Sequence, residues 1–162
     1  MARDADDSLA VVVYREDGLW QSGLLPGKVS DDLDGLIGVL RQQPGENGAI
    51  GLVNVADEFF VAVRVRGDDV RVLLSDVTAA VAWDLARQVV DRLGLQAPAE
   101  EEVEDIWPAG DLAMFSDFGL DELELGVVLA DIDAYADEML VTLAGRIGFG
   151  EVYDRAVEAA AH

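Results

Sequence analysis

Apolar segments separated by turn residues fill the first half of the chain, and two of them have the two-residue alternation of β-strands. The first segment is rich in β-branched residues, and an Asp17-Gly18 turn between it and the second predicts a hairpin. A second turn, at Gly67, separates two further segments, and a continuous apolar stretch precedes them. The pattern predicts five strands, at residues 9–14, 19–24, 49–55, 59–66 and 70–74.

Two helices are predicted between and after these strands. Leu33, Leu36, Ile37 and Leu40 recur at helical spacing behind the N-cap candidates at residues 30–32. A second helix is predicted over 77–93, with Ser75 or Asp76 as its cap and Gly94 as its end. The order ββαβββα with short connections favours an antiparallel sheet in a two-layer α+β domain. That order is similar to longin- and profilin-like domains, a likeness of fold alone.

Arginines lie on the predicted outer face of the fourth and fifth strands, opposite the apolar face. Arg64 and Arg66 alternate with Val63 and Val65, which predicts a sheet covered on one face with cationic residues turned outward. Together with Arg71 they could form a strip that binds single-stranded nucleic acid. The interpretation that we favour is that these arginines pair with the acidic C-terminal segment.

The composition changes after residue 95. A flexible tail is expected at 1–8, an α+β domain at 9–95, an acidic mobile linker at 96–105 and a helical segment at 106–160. Short helices are predicted at 111–118, 122–130, 136–147 and from 150 onward, and Asp121 with Glu124 forms a capping-box variant. The apolar seam of this bundle is expected to contain Leu112, Phe115, Phe118, Leu120, Leu123, Leu125, Leu129, Met139, Leu143 and Ile147.

The net charge of the chain limits the kinds of partner that it is expected to bind. The 162 residues include 33 acidic and 11 basic ones, a net charge of −22. Residues 97–162 hold 17 of the acids and two of the bases. Such a charge opposes binding to nucleic acid and anionic membranes and favours basic protein surfaces. With no long apolar run and an acidic N-terminus, we expect a cytoplasmic protein.

The residues that usually perform catalysis are scarce. There is no cysteine, and His162 is the one histidine, so cysteine–histidine and serine–histidine chemistry have no internal base. Asp131 and Asp133 have a spacing compatible with magnesium, but they lack a third ligand and a glycine-rich phosphate loop. We therefore predict no catalytic residue, no metal and no cofactor, and a protein that is not an enzyme.

Several segments resemble a known family. They are residues 60–80, 83–86, 107–112 (WPAGDL), 119–125 (GLDELEL) and 148–152 (GFGEV). Together these are similar to the actinobacterial proteins called tRNA adenosine deaminase-associated, over a region from the first strand to Val157. The resemblance implies a small cytoplasmic protein that accompanies a tRNA adenosine deaminase. A deaminase itself needs histidine and cysteine zinc ligands, which this chain lacks.

The resulting hypothesis is a non-enzymatic accessory protein that binds a basic partner, with a tRNA adenosine deaminase implied by the resemblance. One alternative is a nucleic-acid mimic that inhibits a tRNA-binding enzyme, and another is a domain that binds a small ligand or divalent metal through carboxylates. The oligomeric state stays open. The residues expected to contact the partner are Glu100, Glu101, Glu102, Glu104, Asp105, Asp121, Glu122, Glu124, Asp131 and Asp133.

Overall fold

A single antiparallel sheet lies at the centre of the structure, a computed structural model that describes residues 8–43, 48–95, 108–131 and 133–160. In these residues the sheet has six strands: β1 (Ser8–Glu16), β2 (Leu19–Leu24), β3 (Ala49–Val55), β4 (Phe59–Arg66), β5 (Asp69–Leu74) and β6 (Ala109–Gly110). Their order across the sheet is β2-β1-β3-β4-β5-β6. The α+β class and the antiparallel pairing are confirmed.

The sequence predicted five strands, and the structure adds β6 as a sixth. Ala109 pairs with Leu74, and Gly110 pairs with Leu73. Gly110 has a φ of 118° and lies so close to β5 that an added Cβ would stand 2.2 Å from the Val72 carbonyl oxygen. A two-residue strand shows no periodicity, which is why the sequence pattern missed it.

Five α-helices surround the sheet in the described part of the chain. The predicted N-terminal caps of two helices are confirmed. Asp32 Oδ1 accepts a hydrogen bond from Gly35 N at 3.0 Å at the start of the first helix. Asp121 Oδ1 accepts one from Glu124 N at 2.8 Å at the start of the third. The helices are α1 (Leu33–Arg41), α2 (Asp84–Arg92), α3 (Glu122–Leu129), α4 (Ala136–Ile147) and α5 (Gly150–Ala160).

Two helix predictions were too long. The helix expected over 77–93 is divided into a 3₁₀ helix, Val77–Val81, and α2. Trp83 takes an extended conformation between them, where its ring packs 5.8 Å from that of Phe59. The helix expected over 111–118 is reduced to a 3₁₀ turn at Ser116–Phe118. Tertiary contacts outweigh helix propensity at these positions.

Both faces of the sheet are covered, so the prediction of a two-layer domain with one open face was wrong. Helices α1 and α2 pack on one face around Val53, Val61 and Val63. Helices α3, α4 and α5 pack on the other, where Phe60 and Leu52 lie in one apolar cluster with helix and loop residues such as Phe115. The C-terminal segment therefore shares a core with the sheet. None of the described helices combines the length and the apolar character that a bilayer crossing requires.

Candidate partner-binding site

The arginines of β4 and β5 are engaged within the fold. Arg64 is 1% exposed, and its guanidinium donates to the Met114 carbonyl oxygen at 2.7 Å and to Asp117 Oδ2 at 2.7 Å. Its Cζ also lies 4.2 Å from the centre of the Phe118 ring. The prediction that Arg64 points outward was wrong, because the C-terminal segment covers that face of the sheet.

Arg66 and Arg71 also pair with carboxylates of the protein. Arg71 Nη1 lies 2.7 Å from Asp111 Oδ2, and Arg66 Nη1 lies 3.9 Å from Asp117 Oδ2. The hydrogen bonds to Asp69 and Asp111 hold the pKa of Arg71 above its ordinary value. Pairing of these arginines with the acidic C-terminal segment is thus confirmed. Phe60, the aromatic residue beside these arginines on β4, is fully buried and cannot stack on a base.

The acidic candidates after residue 120 lie at the two ends of the α3 helix. Asp121 and Glu122 are exposed at its start, and Asp131 and Asp133 are exposed beyond its end. Asp131 Oδ1 accepts a hydrogen bond from Asp133 N at 3.1 Å, so both belong to one turn. Five other predicted contact residues, Glu100, Glu101, Glu102, Glu104 and Asp105, and the predicted linker lie outside the described residues.

Helix α3 is apolar on both sides, which sets it apart from an ordinary surface helix. Leu125, Val128 and Leu129 are buried, and Leu125 and Leu129 lie in one apolar cluster with residues of the sheet and of α4. Leu123 and Val127, one helical turn apart, are 82% and 70% exposed. The prediction that Leu123 belongs to the bundle seam was wrong. Apolar side chains on opposite sides of a helix are typical of a helix buried on both, and among the described residues nothing covers Leu123 and Val127.

Helix α4 packs beside α3. Glu124 Oε2 of α3 lies 3.3 Å from Arg146 Nη1 near the end of α4, so the two helices run antiparallel. Tyr135 at the start of α4 is 67% exposed. We call the α3–α4 surface the set Leu123, Val127 and Tyr135 with the acids of the two helices and of the turn that joins them, Asp121, Glu122, Glu124, Asp131, Asp133, Asp137 and Glu138.

The charge of the α3–α4 surface is almost entirely negative. Arg146 is its basic residue and is occupied by Glu124, the one acid of this surface that forms an ion pair with an arginine among the described residues. The carboxylates that pair with Arg71 and with buried Arg64 are Asp111 and Asp117, which lie elsewhere. The surface thus has exposed apolar side chains on α3 between acids at the two ends of that helix.

The structure does not gather these acids around a common point. Among the residues it describes, no group of three histidine, cysteine, aspartate or glutamate side chains is placed to hold a metal ion. Asp131 does line a small cavity of about 40 Å³ with Glu58 and Asp76. His162 lies outside the described residues.

The apolar part of the site was missed by sequence reasoning, although a signal existed. The α3 sequence ELELGVVL places apolar side chains at consecutive positions, which one buried face cannot accommodate. Buried Arg64 gave a second signal, since its strand is otherwise apolar from Phe59 to Val65. A cation in such a strand indicates that an acidic side chain pairs with it in the fold.

Comparisons with known proteins support the family resemblance that the sequence motifs indicated. A family described as Rv3753c-like tRNA adenosine deaminase-associated protein matches residues 8–150. Protein Rv3753c of Mycobacterium tuberculosis strain H37Rv is 40% identical over 151 residues, which are 93% of this chain and 87% of that protein. No solved structure matches the chain. The chain therefore belongs to the Rv3753c-like tRNA adenosine deaminase-associated family.

Proposed function

We propose that this protein is a non-enzymatic accessory that binds a basic protein partner through the α3–α4 surface. The observation that carries the proposal is the outer face of α3, where Leu123 and Val127 are exposed between acids at the two ends of that helix. Protein interfaces have this composition, with an apolar centre that is desolvated on binding and a polar rim. A partner with an apolar patch bordered by lysine and arginine would complement it.

The negative charge of the C-terminal segment supports a cationic partner in particular. The C-terminal residues 97–162 carry 17 acids and two bases, so their field extends beyond single contacts. Such a field accelerates encounter with a positive surface and disfavours anionic competitors. The predicted contacts at Glu100, Glu101, Glu102, Glu104 and Asp105 would add to the same field.

The family description makes a tRNA adenosine deaminase the partner that we propose. An enzyme that binds tRNA presents basic residues to the phosphates, and these can also attract an acidic protein. The chain contains no cysteine, and its one histidine is His162. It therefore lacks the histidine and cysteine ligand set of a zinc deaminase, which supports an accessory role.

The test is isothermal titration of the purified protein into the tRNA adenosine deaminase of the same organism. We expect binding that weakens as salt increases, because the contacts of the acidic side chains are screened. The double variant Leu123→Ser/Val127→Ser should lower affinity by at least about tenfold. Leu95→Ser is the matched control, since Leu95 is 49% exposed on α2's side of the molecule. Absence of binding at every salt concentration would refute the proposal.

Two further measurements separate the accessory from the alternatives. If tRNA competes with the protein for the deaminase, the protein acts as a nucleic-acid mimic that inhibits; an accessory allows tRNA to bind. If titration with magnesium or manganese produces heat that Asp131→Asn removes, the acids serve a metal instead.

A further inference from the structure

Strand β2 forms one edge of the sheet and, in the described residues, has no strand on its outer side. Leu25 N donates to the opposed Ala10 carbonyl oxygen at 2.9 Å. Hydrogen-bonded pairs alternate along an antiparallel ladder, so Gly23, Gln21 and Leu19 direct their amides toward β1. The backbone N–H and C=O groups of Trp20, Ser22 and Leu24 therefore point outward from the edge.

This edge lacks two of the usual protections against pairing with another chain, charged side chains and proline. The β2 sequence LWQSGL contains no charged residue and no proline, in a protein whose residues are 27% charged. Leu19 and Leu24 are 65% and 45% exposed. An uncharged strand with exposed leucines is a template for a further strand.

Helix α5 and β2 together line a groove along this edge. Ser22 Oγ donates to the Val152 carbonyl oxygen at 2.7 Å, which fixes the helix beside the strand. Two adjoining cavities of about 390 and 410 Å³ share Gln21, Val152 and Arg155 in their walls. Helix α5 contributes two charged residues to this groove, Glu151 and Arg155, which lie one helical turn apart.

We propose that β2 pairs with β2 of a second copy of this chain in an antiparallel, two-fold symmetric dimer. Directly opposed residues of antiparallel strands point to the same face of the sheet. The two-fold axis therefore passes midway between the two copies of one residue, which oppose each other across the dimer. An axis at Ser22 engages all three outward-directed residues, because Trp20 then opposes Leu24 of the second copy. The exposed Leu19 opposes Leu25 in the same register.

The position of helix α5 is compatible with the proposed β2–β2 dimer. Helix α5 contacts both β1 and β2, which places it above the seam between them. Strands are about 4.8 Å apart, so the two α5 axes would lie about 10 Å apart across the dimer, a normal helix-packing distance. The helices are antiparallel about the axis, which brings Glu151 of each copy toward Arg155 of the other.

Charge favours a second copy over a basic partner at this groove. Glu151 and Arg155 balance each other there, whereas the α3–α4 surface is negative. Two chains of net charge −22 still repel each other at long range. Dimerisation should therefore strengthen as salt increases, opposite to the salt response of the proposed deaminase complex.

The test is sedimentation velocity of the full chain over a concentration series, at low salt and at about 0.5 M salt, where screening acts within about 4 Å. We expect a dimer whose dissociation constant falls with salt. Leu24→Lys should weaken it by at least about tenfold, because it places a charge opposite Trp20 of the second copy. Leu95→Lys, at a leucine of similar exposure, should leave it unchanged.

Hydrogen exchange supplies a second readout, which reports the register of the strand pairing directly. In the dimer, the amides of Trp20, Ser22 and Leu24 should become protected together, and Leu24→Lys should return them to fast exchange while its circular dichroism stays that of the parent. A monomer at all concentrations and salts would overturn the proposal. So would a dimer that Leu24→Lys leaves intact.

Discussion

Arg64 and Asp117 form a two-pronged ion pair that joins strand β4 to the turn before α3. Arg64 Nη2 lies 2.7 Å from Asp117 Oδ2, and the Arg64 side chain is 1% exposed while that of Asp117 is 48% exposed. The pair lies where the C-terminal segment covers the sheet. It therefore couples the packing of that segment to the strands through charge as well as apolar contact.

Removing the acidic member should destabilise the protein, because it leaves a buried guanidinium with one fewer partner. We expect Asp117→Asn to lower the free energy of unfolding by about 2 kcal/mol, less than for a fully buried pair because water reaches Asp117. Asp69→Asn is the matched control: Asp69 is 47% exposed, but its partner Arg71 is 39% exposed. Asp69→Asn should lower the free energy of unfolding, measured in urea, by at most about 0.5 kcal/mol.

The same pair predicts a dependence of stability on pH. The hydrogen bond from Arg64, with its positive charge, holds the pKa of Asp117 below its ordinary value, against the opposing effect of burial. A carboxyl group whose pKa is lower in the folded state stabilises the fold above its unfolded pKa of about 3.9. That stabilisation is lost as pH falls through the folded value.

The measurement is the difference in unfolding free energy between the parent and Asp117→Asn at a series of pH values. The difference should be constant near neutral pH and should shrink below about pH 4. Using the difference cancels the titration of the other acids. A difference that grows as the pH falls would contradict the assignment.

Leu123 and Leu125 should respond very differently to truncation, although they lie two residues apart in α3. Leu123 is 82% exposed and Leu125 is fully buried. Leu123→Ala should change the unfolding free energy by at most about 0.5 kcal/mol. Leu125→Ala should lower it by about 3 kcal/mol, through lost burial and a cavity. Equal losses in thermal or urea unfolding would mean that the outer face of α3 is covered within the monomer.

Gly110 should tolerate substitution less well than Gly119. Both have positive φ, 118° and 93°, so alanine is strained at either position. Only at Gly110 would the new Cβ also meet backbone, at 2.2 Å from the Val72 carbonyl oxygen, whereas nothing lies within 4 Å at Gly119. We expect Gly119→Ala to cost about 1 kcal/mol and Gly110→Ala more than about 2 kcal/mol. Similar melting temperatures for the two variants would exclude β6 as a tight pairing.

Local patterns were sufficient to predict most elements. The period-two alternation in β4 and β5, the Asp17-Gly18 turn and the capping residues Asp32 and Asp121 are encoded within a few neighbouring residues. Each depends on side-chain spacing or on one short hydrogen bond. The absence of cysteine, the net charge and the family membership are likewise properties of the sequence.

Tertiary structure decided what those elements face. Whether Arg64 meets water or Asp117, and whether Leu123 or Leu125 enters the core, depends on where residues more than 50 positions away or in another helix come to lie. Periodicity reports which residues share a side of a strand or helix, but it does not report what covers that side. The acidic character of the C-terminal segment was thus readable from composition, whereas the exposed apolar side chains within it and the unpaired edge of β2 appeared only when the chain was folded.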